Sequence, residues 1–201
     1  MKMSALDRVL LLITGLFAAY QIVVGIDQMD NIPIIAYTIA FGVLLVAGLL
    51  LIILGFDVLD SPVVAIISTI IPLCLATGLV WQHLASYRTA YLIFAIVGFA
   101  AVVLTRSTQM QNKLPVITIA VVHGIAGMTI FLLPIIVSVR GDTNGLFSLV
   151  GLGGALIGLG GLLLSFLKTG RPILSRETIL RILPGLLLLM TVCFVAGFKF
   201  G

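Results

Sequence analysis

"GLGGALIGLGGLLLSF", residues 151–166, carries six glycines, and its reading decides the fold. A glycine-rich loop that cradles phosphate belongs to a soluble nucleotide-binding domain. A glycine-rich helix belongs inside a membrane. A dinucleotide fingerprint needs G-x-G-x-x-G between a strand and a helix, and neither GLGGAL nor GLGGLL completes it. No lysine follows in the position that a phosphate loop requires, and the segment is enclosed in one continuous apolar run. It is therefore a transmembrane helix. On that helix Ser148, Gly151, Gly154, Gly158, Gly161 and Ser165 recur at steps of three or four, forming one stripe of small side chains. Gly154 and Gly158 make a GxxxG pair, a spacing that lets two membrane helices approach closely. Gly153 and Gly160 fall on roughly the opposite face, which predicts a sixth span sandwiched between others near the centre of a bundle.

The rest of the chain agrees with that reading. Of its 201 residues, 61% are hydrophobic and 9% are charged, far from the composition of a soluble domain. The apolar residues fall in runs of about 17–25, the length a helix needs to cross roughly 30 Å of hydrocarbon. Strand alternation is absent, which disfavours a β-barrel. The pattern predicts an all-α, polytopic membrane bundle with seven spans, near 9–26, 33–56, 62–83, 87–105, 115–139, 146–167 and 179–198. Pro33, Pro62 and Pro115 stand at span starts, where a missing N–H costs little. The connecting segments are too short to fold separately, so residues 1–201 form one transmembrane domain.

Lysine and arginine set the orientation. With the N-terminus in the cytoplasm, the inner side receives Lys2, Arg8, Arg106, Lys113, Lys168, Arg171, Arg176 and Arg181, and the outer side Arg88, Arg140 and Lys199. That bias puts the C-terminus outside. The pattern suits a plasma membrane of a bacterium or archaeon. A net charge of +4, thinly spread and mostly at span ends, gives no footprint for nucleic acid.

Candidates for chemistry are few. His123, in "AVVHGIAGM", is the one acid–base side chain expected deep in hydrocarbon, where such a residue points to function or to a named partner. Small Ala120, Gly124 and Gly127 flank it, leaving room for a neighbouring helix or a ligand. Its two readings are an interhelical hydrogen bond and a cofactor site for haem, pigment or quinone. His83, beside Trp81, Gln82 and Tyr87, reads as an interfacial belt residue. The two histidines differ in expected depth by roughly 18 Å at 1.5 Å per helical residue, too far apart to share one haem.

The remaining polar residues argue mostly by position. Asp7, Asp27, Asp30, Asp57, Asp60, Asp142 and Glu177 all fall at span ends or in loops, whereas ion-coupled carriers usually keep a carboxylate in the membrane. Cys74 and Cys193 have no metal or redox spacing and read as small apolar fillers. Pro72 and Pro134 are candidates to break or kink their spans. In "KTGRPILSRETILRIL", residues 168–183, Ser175 is placed to cap the last helix, and Glu177 and Arg181 are spaced to pair. Lys168, Arg171, Arg176 and Arg181 together suit lipid headgroups or a docking partner. These features point to a non-catalytic membrane protein, a subunit or assembly partner of a larger complex. Alternatives are a carrier or channel for a small neutral or lipidic solute, and a cofactor binder through His123. The identity of any cofactor is not legible.

Overall fold

The computed structural model describes residues 3–25, 30–108, 113–168 and 173–201, without the side chains of Pro62, Ser165, Phe166 and Lys168. Its seven long helices are α1 (Ala5–Val24), α2 (Asn31–Leu54), α3 (Pro62–His83), α4 (Arg88–Ser107), α5 (Leu114–Arg140), α6 (Ser148–Lys168) and α7 (Arg176–Phe200). All seven are long and apolar enough to cross a membrane. The chain is a multi-pass helical membrane protein.

Local chemistry explains the boundaries. α1 begins four residues before the apolar run because Ser4 and Asp7 form a reciprocal cap. The Asp7 N–H donates to Ser4 Oγ at 3.2 Å and the Ser4 N–H to Asp7 Oδ2 at 2.8 Å, satisfying two donors that a helix start leaves orphaned. Ser61 Oγ accepts from the Val63 N–H, and Ser175 Oγ from the Thr178 N–H at 3.1 Å, as the cap signal at Ser175 predicts. Gly141 closes α5 in a left-handed conformation, φ +80°, which glycine adopts at little steric cost. Of the two expectations for Pro72 and Pro134, a break does not occur. Both lie inside continuous helices, as does Pro184 in α7. A membrane helix tolerates proline because neighbouring helices and local adjustments compensate the freed carbonyl.

Going round the bundle, α1, α2, α3, α5, α6 and α7 form a ring that closes back on α1. Neighbours in sequence are neighbours in space throughout, and α4 lies outside the ring, packed on α3 and α5. α3 and α5 therefore touch directly, although they run in the same direction. The consequence is visible in burial: 56% of the α3 span is buried within the chain against 11% of α4. α4 is a peripheral buttress of the ring.

The ring has no open bore along the aromatic rings that cross it. Phe198 of α7 stacks near Tyr37 of α2 with centroids 4.7 Å apart, and meets Phe41 and Phe147 at 6.2 Å each. Below it, Phe194, Phe41, Leu44, Ile71 and Leu75 surround a gap too small for water. The buried threonine hydroxyls are satisfied inside their own helices. Thr69, Thr77 and Thr191 each donate to the carbonyl four residues earlier at 2.7 Å, and Thr14 does so at 2.9 Å. Hydrocarbon offers no other partner for these groups.

Candidate functional sites

The glycine stripe of α6 divides between two roles. A side-chain carbon at Gly154 would stand 2.9 Å from the Ile130 carbonyl carbon and the Phe131 nitrogen, and one at Gly151 would stand 2.6 Å from the Phe131 oxygen. Here the backbones of α5 and α6 are in contact. Gly158 and Gly161, in contrast, have nothing within 4 Å of that position, and both are exposed. The single buried stripe expected from the sequence is thus corrected at these two residues. So is the central placement of the span, because Leu152, Leu159 and Leu162 are also exposed. The reason is geometric. α6 stays with α7, where Gly153 meets Phe194 and Gly160 meets Leu186, and helices that cross at an angle touch over only a few turns. At Gly158 no atom of α5 comes within 4 Å of a would-be side-chain carbon. Ser148 bonds the Gly145 carbonyl at the helix start, 2.6 Å away. The Ser165 side chain lies outside the described residues.

His123 is partly buried on α5. Its Nδ1 stands 3.1 Å from the Ile119 carbonyl oxygen, one turn back on its own helix, so the bond it makes is not interhelical. A carbonyl can only accept, so Nδ1 is the protonated nitrogen and donates. In neutral imidazole this leaves Nε2 with a free lone pair, the tautomer that metal ligation uses. Gly124 and Gly127 beside it are open, with nothing within 4 Å of a would-be side chain. The small-residue surface of α5 thus continues the open one of α6 toward the same end of the bundle. No group of three or more His, Cys, Asp or Glu side chains converges among the described residues. A bare ion would therefore lack donors at His123, whereas a macrocycle brings its own equatorial set and needs one axial ligand.

The end of the bundle where α3 and α7 finish holds a network that the sequence reading missed. Tyr37, buried in α2, donates its hydroxyl proton to Gln82 Oε1 of α3 at 2.5 Å. Its ring occupies the space left by Gly78, one turn below Gln82. Arg88 at the start of α4 donates from Nε to the Trp81 carbonyl at 2.5 Å, lies 5.6 Å from the Trp81 ring centre, and approaches Asp30 at 3.8 Å. Lys199 of α7 bonds the Tyr20 hydroxyl of α1. His83 rests against Phe147 with centroids 5.2 Å apart. These contacts tie five helices and the α5–α6 turn at one level. A signal existed: Tyr37, Gln82, Arg88 and Lys199 all lie near span ends, where amphipathic side chains concentrate. Their pairing was not legible, since it requires knowing that α7 closes the ring against α1 and which faces of α2, α3 and α4 meet.

At the opposite end of the bundle, where α7 begins, Arg176 Nη2 pairs with Asp60 Oδ2 at 2.7 Å. The spacing-based expectation of a Glu177–Arg181 pair gives way to this one, because no such ion pair occurs among the described residues and Arg181 is exposed. Arg171 and the Lys168 side chain lie outside the described residues. Asp60 ends a short 3-10 turn (Phe56–Asp60) whose Phe56 is buried, which fixes the carboxylate against the start of α7. Comparison with protein-family models, with curated proteins and with solved structures finds no match to this chain.

Proposed function

We propose that this chain is a non-catalytic integral membrane protein, a subunit or assembly partner that receives a helix of another membrane protein on α5 and α6. The observation that carries this reading is the unused small-residue surface: Gly124, Gly127, Gly158 and Gly161 all have open space beside them. The same residue type two turns away, at Gly151 and Gly154, brings two backbones into contact within the chain. Lipid tails are as apolar as leucine, so helices associate in membranes by close packing, which small residues permit. The aromatic rings filling the bundle axis favour this reading over a channel or carrier. Positive-inside charge bias supports a cytoplasmic N-terminus in a bacterial or archaeal plasma membrane. The partners are the bilayer and another membrane subunit, with no role for nucleic acid.

Mass measurement of the full chain extracted in mild detergent tests the proposal. The expected assembly exceeds the 21.3 kDa of one chain. The double variant Gly158→Leu/Gly161→Leu is expected to run as a folded single chain, because both positions are open within it. A monomeric wild type, or a double variant that assembles normally, overturns the reading.

A second reading rests on the tautomer of His123, whose Nδ1 bond to Ile119 leaves Nε2 suited to one axial bond to a haem or a metal-centred pigment. His123→Gln retains a donor and an acceptor but replaces imidazole with a far poorer ligand. If the reading holds, a visible absorption band of the purified protein disappears or shifts in the variant. A colourless wild type removes this reading and leaves the assembly proposal untouched.

A further inference from the structure

A cavity of about 270 Å³ opens at the end of the bundle where α7 begins, lined by Leu59, Asp60, Leu164, Leu167, Arg176 and Leu180. It sits where the 3-10 turn, the end of α6 and the first turn of α7 meet. Four of its walls are leucine. The other two are the ion pair, whose side chains are 49% and 57% exposed for Arg176 and Asp60. An occupant must therefore be amphiphilic. A fully polar solute gains nothing from the leucines, and a hydrocarbon gains nothing from the charges. The volume falls just under the roughly 300–1,000 Å³ of pockets that enclose a whole small molecule. It suits a headgroup and its first methylenes, with the chains continuing into the bilayer.

The charges select the headgroup. A guanidinium presents a planar fork of N–H donors that matches phosphate oxygens, and anionic groups are favoured at the N-terminal end of a helix such as α7. The carboxylate of Asp60, 2.7 Å from that guanidinium, repels a lipid that carries only negative charge and attracts an ammonium group. We propose that this cavity is a binding site for one zwitterionic aminophospholipid, with its phosphate on Arg176, its ammonium toward Asp60 and its glycerol end against Leu164, Leu167 and Leu180. The site is independent of the assembly surface on α5 and α6.

Native mass spectrometry of the delipidated full chain, titrated with phosphatidylethanolamine, phosphatidylglycerol or inorganic phosphate, tests it. Phosphatidylethanolamine is expected to bind one per chain and at least about tenfold more tightly than phosphatidylglycerol, as loss of one charge-assisted contact implies. Inorganic phosphate should not displace it. Arg176→Gln is expected to weaken binding by a similar factor. The charge swap Asp60→Arg/Arg176→Asp keeps an ion pair between the two elements while reversing its polarity, and should also lose the preference. Equal binding of the two lipids, displacement by free phosphate, or a swap variant that binds like wild type each overturns the proposal. The wild-type titration decides the matter even if a variant fails to fold.

Discussion

Gly154→Leu is expected to abolish the folded bundle. A side-chain carbon there would already stand 2.9 Å from two backbone atoms of α5, at Ile130 and Phe131, and 2.8 Å from the Ile130 Cγ2. Backbone cannot swing aside as a flexible side-chain end can, so α5 and α6 must separate. Overpacking a tight interior typically costs about 1–3 kcal/mol and at times more, and this site belongs at or above the upper end. The loss should appear as aggregated or absent protein in size-exclusion chromatography after detergent extraction. The one-turn neighbour provides the contrast: Gly158→Leu should give a chain that folds normally, because nothing lies within 4 Å of its added carbon. If Gly154→Leu is as stable as wild type, α5 and α6 are not in contact as described.

The second large effect is expected at Phe198. Its ring is 9% exposed and lies against Tyr37, Phe41 and Phe147, so it joins α2, α7 and the turn before α6. Phe198→Ala opens a cavity among rings fixed from three directions, which limits collapse. Large-to-small changes of this kind cost about 3–5 kcal/mol in water-soluble cores. The lower end applies here, about 3 kcal/mol, because the unfolded chain in a membrane keeps its apolar side chains in lipid and only packing is lost. Phe198→Leu, which keeps most of the volume, should cost about 1 kcal/mol. Reversible denaturation in mixed micelles measures both. An alanine variant no weaker than the leucine variant would show that the ring does not hold this end of the bundle together.

How far the candidate sites were legible follows from which interactions are local. The caps at Ser175 and at Ser4–Asp7 involve residues three apart and can be read from spacing, although the latter was overlooked beside the apolar run it precedes. The hydrogen bond of His123 to Ile119 is also local, yet a search for interhelical partners passes over a carbonyl one turn away. Arg176 illustrates the opposite case. Its partner Asp60 is 116 positions distant, and only the turn at Phe56–Asp60 brings the two ends together.

The sequence by itself determined the number of spans, their limits to within a few residues, and an all-helical fold. The bilayer enforces this: hydrocarbon leaves no water for backbone groups, so each apolar run of sufficient length must close its hydrogen bonds within one helix. What only the tertiary structure decided is which faces meet. Spans that are apolar almost all round, such as α2, carry little directional signal, so the faces they turn to their neighbours could not be read from their residues. The same holds along α6, where Gly154 and Gly158 are chemically identical and one turn apart. Gly154 lies against the α5 backbone at Ile130 and Phe131 and Gly158 has nothing within 4 Å of a would-be side chain, a difference of surroundings that the residue type does not encode.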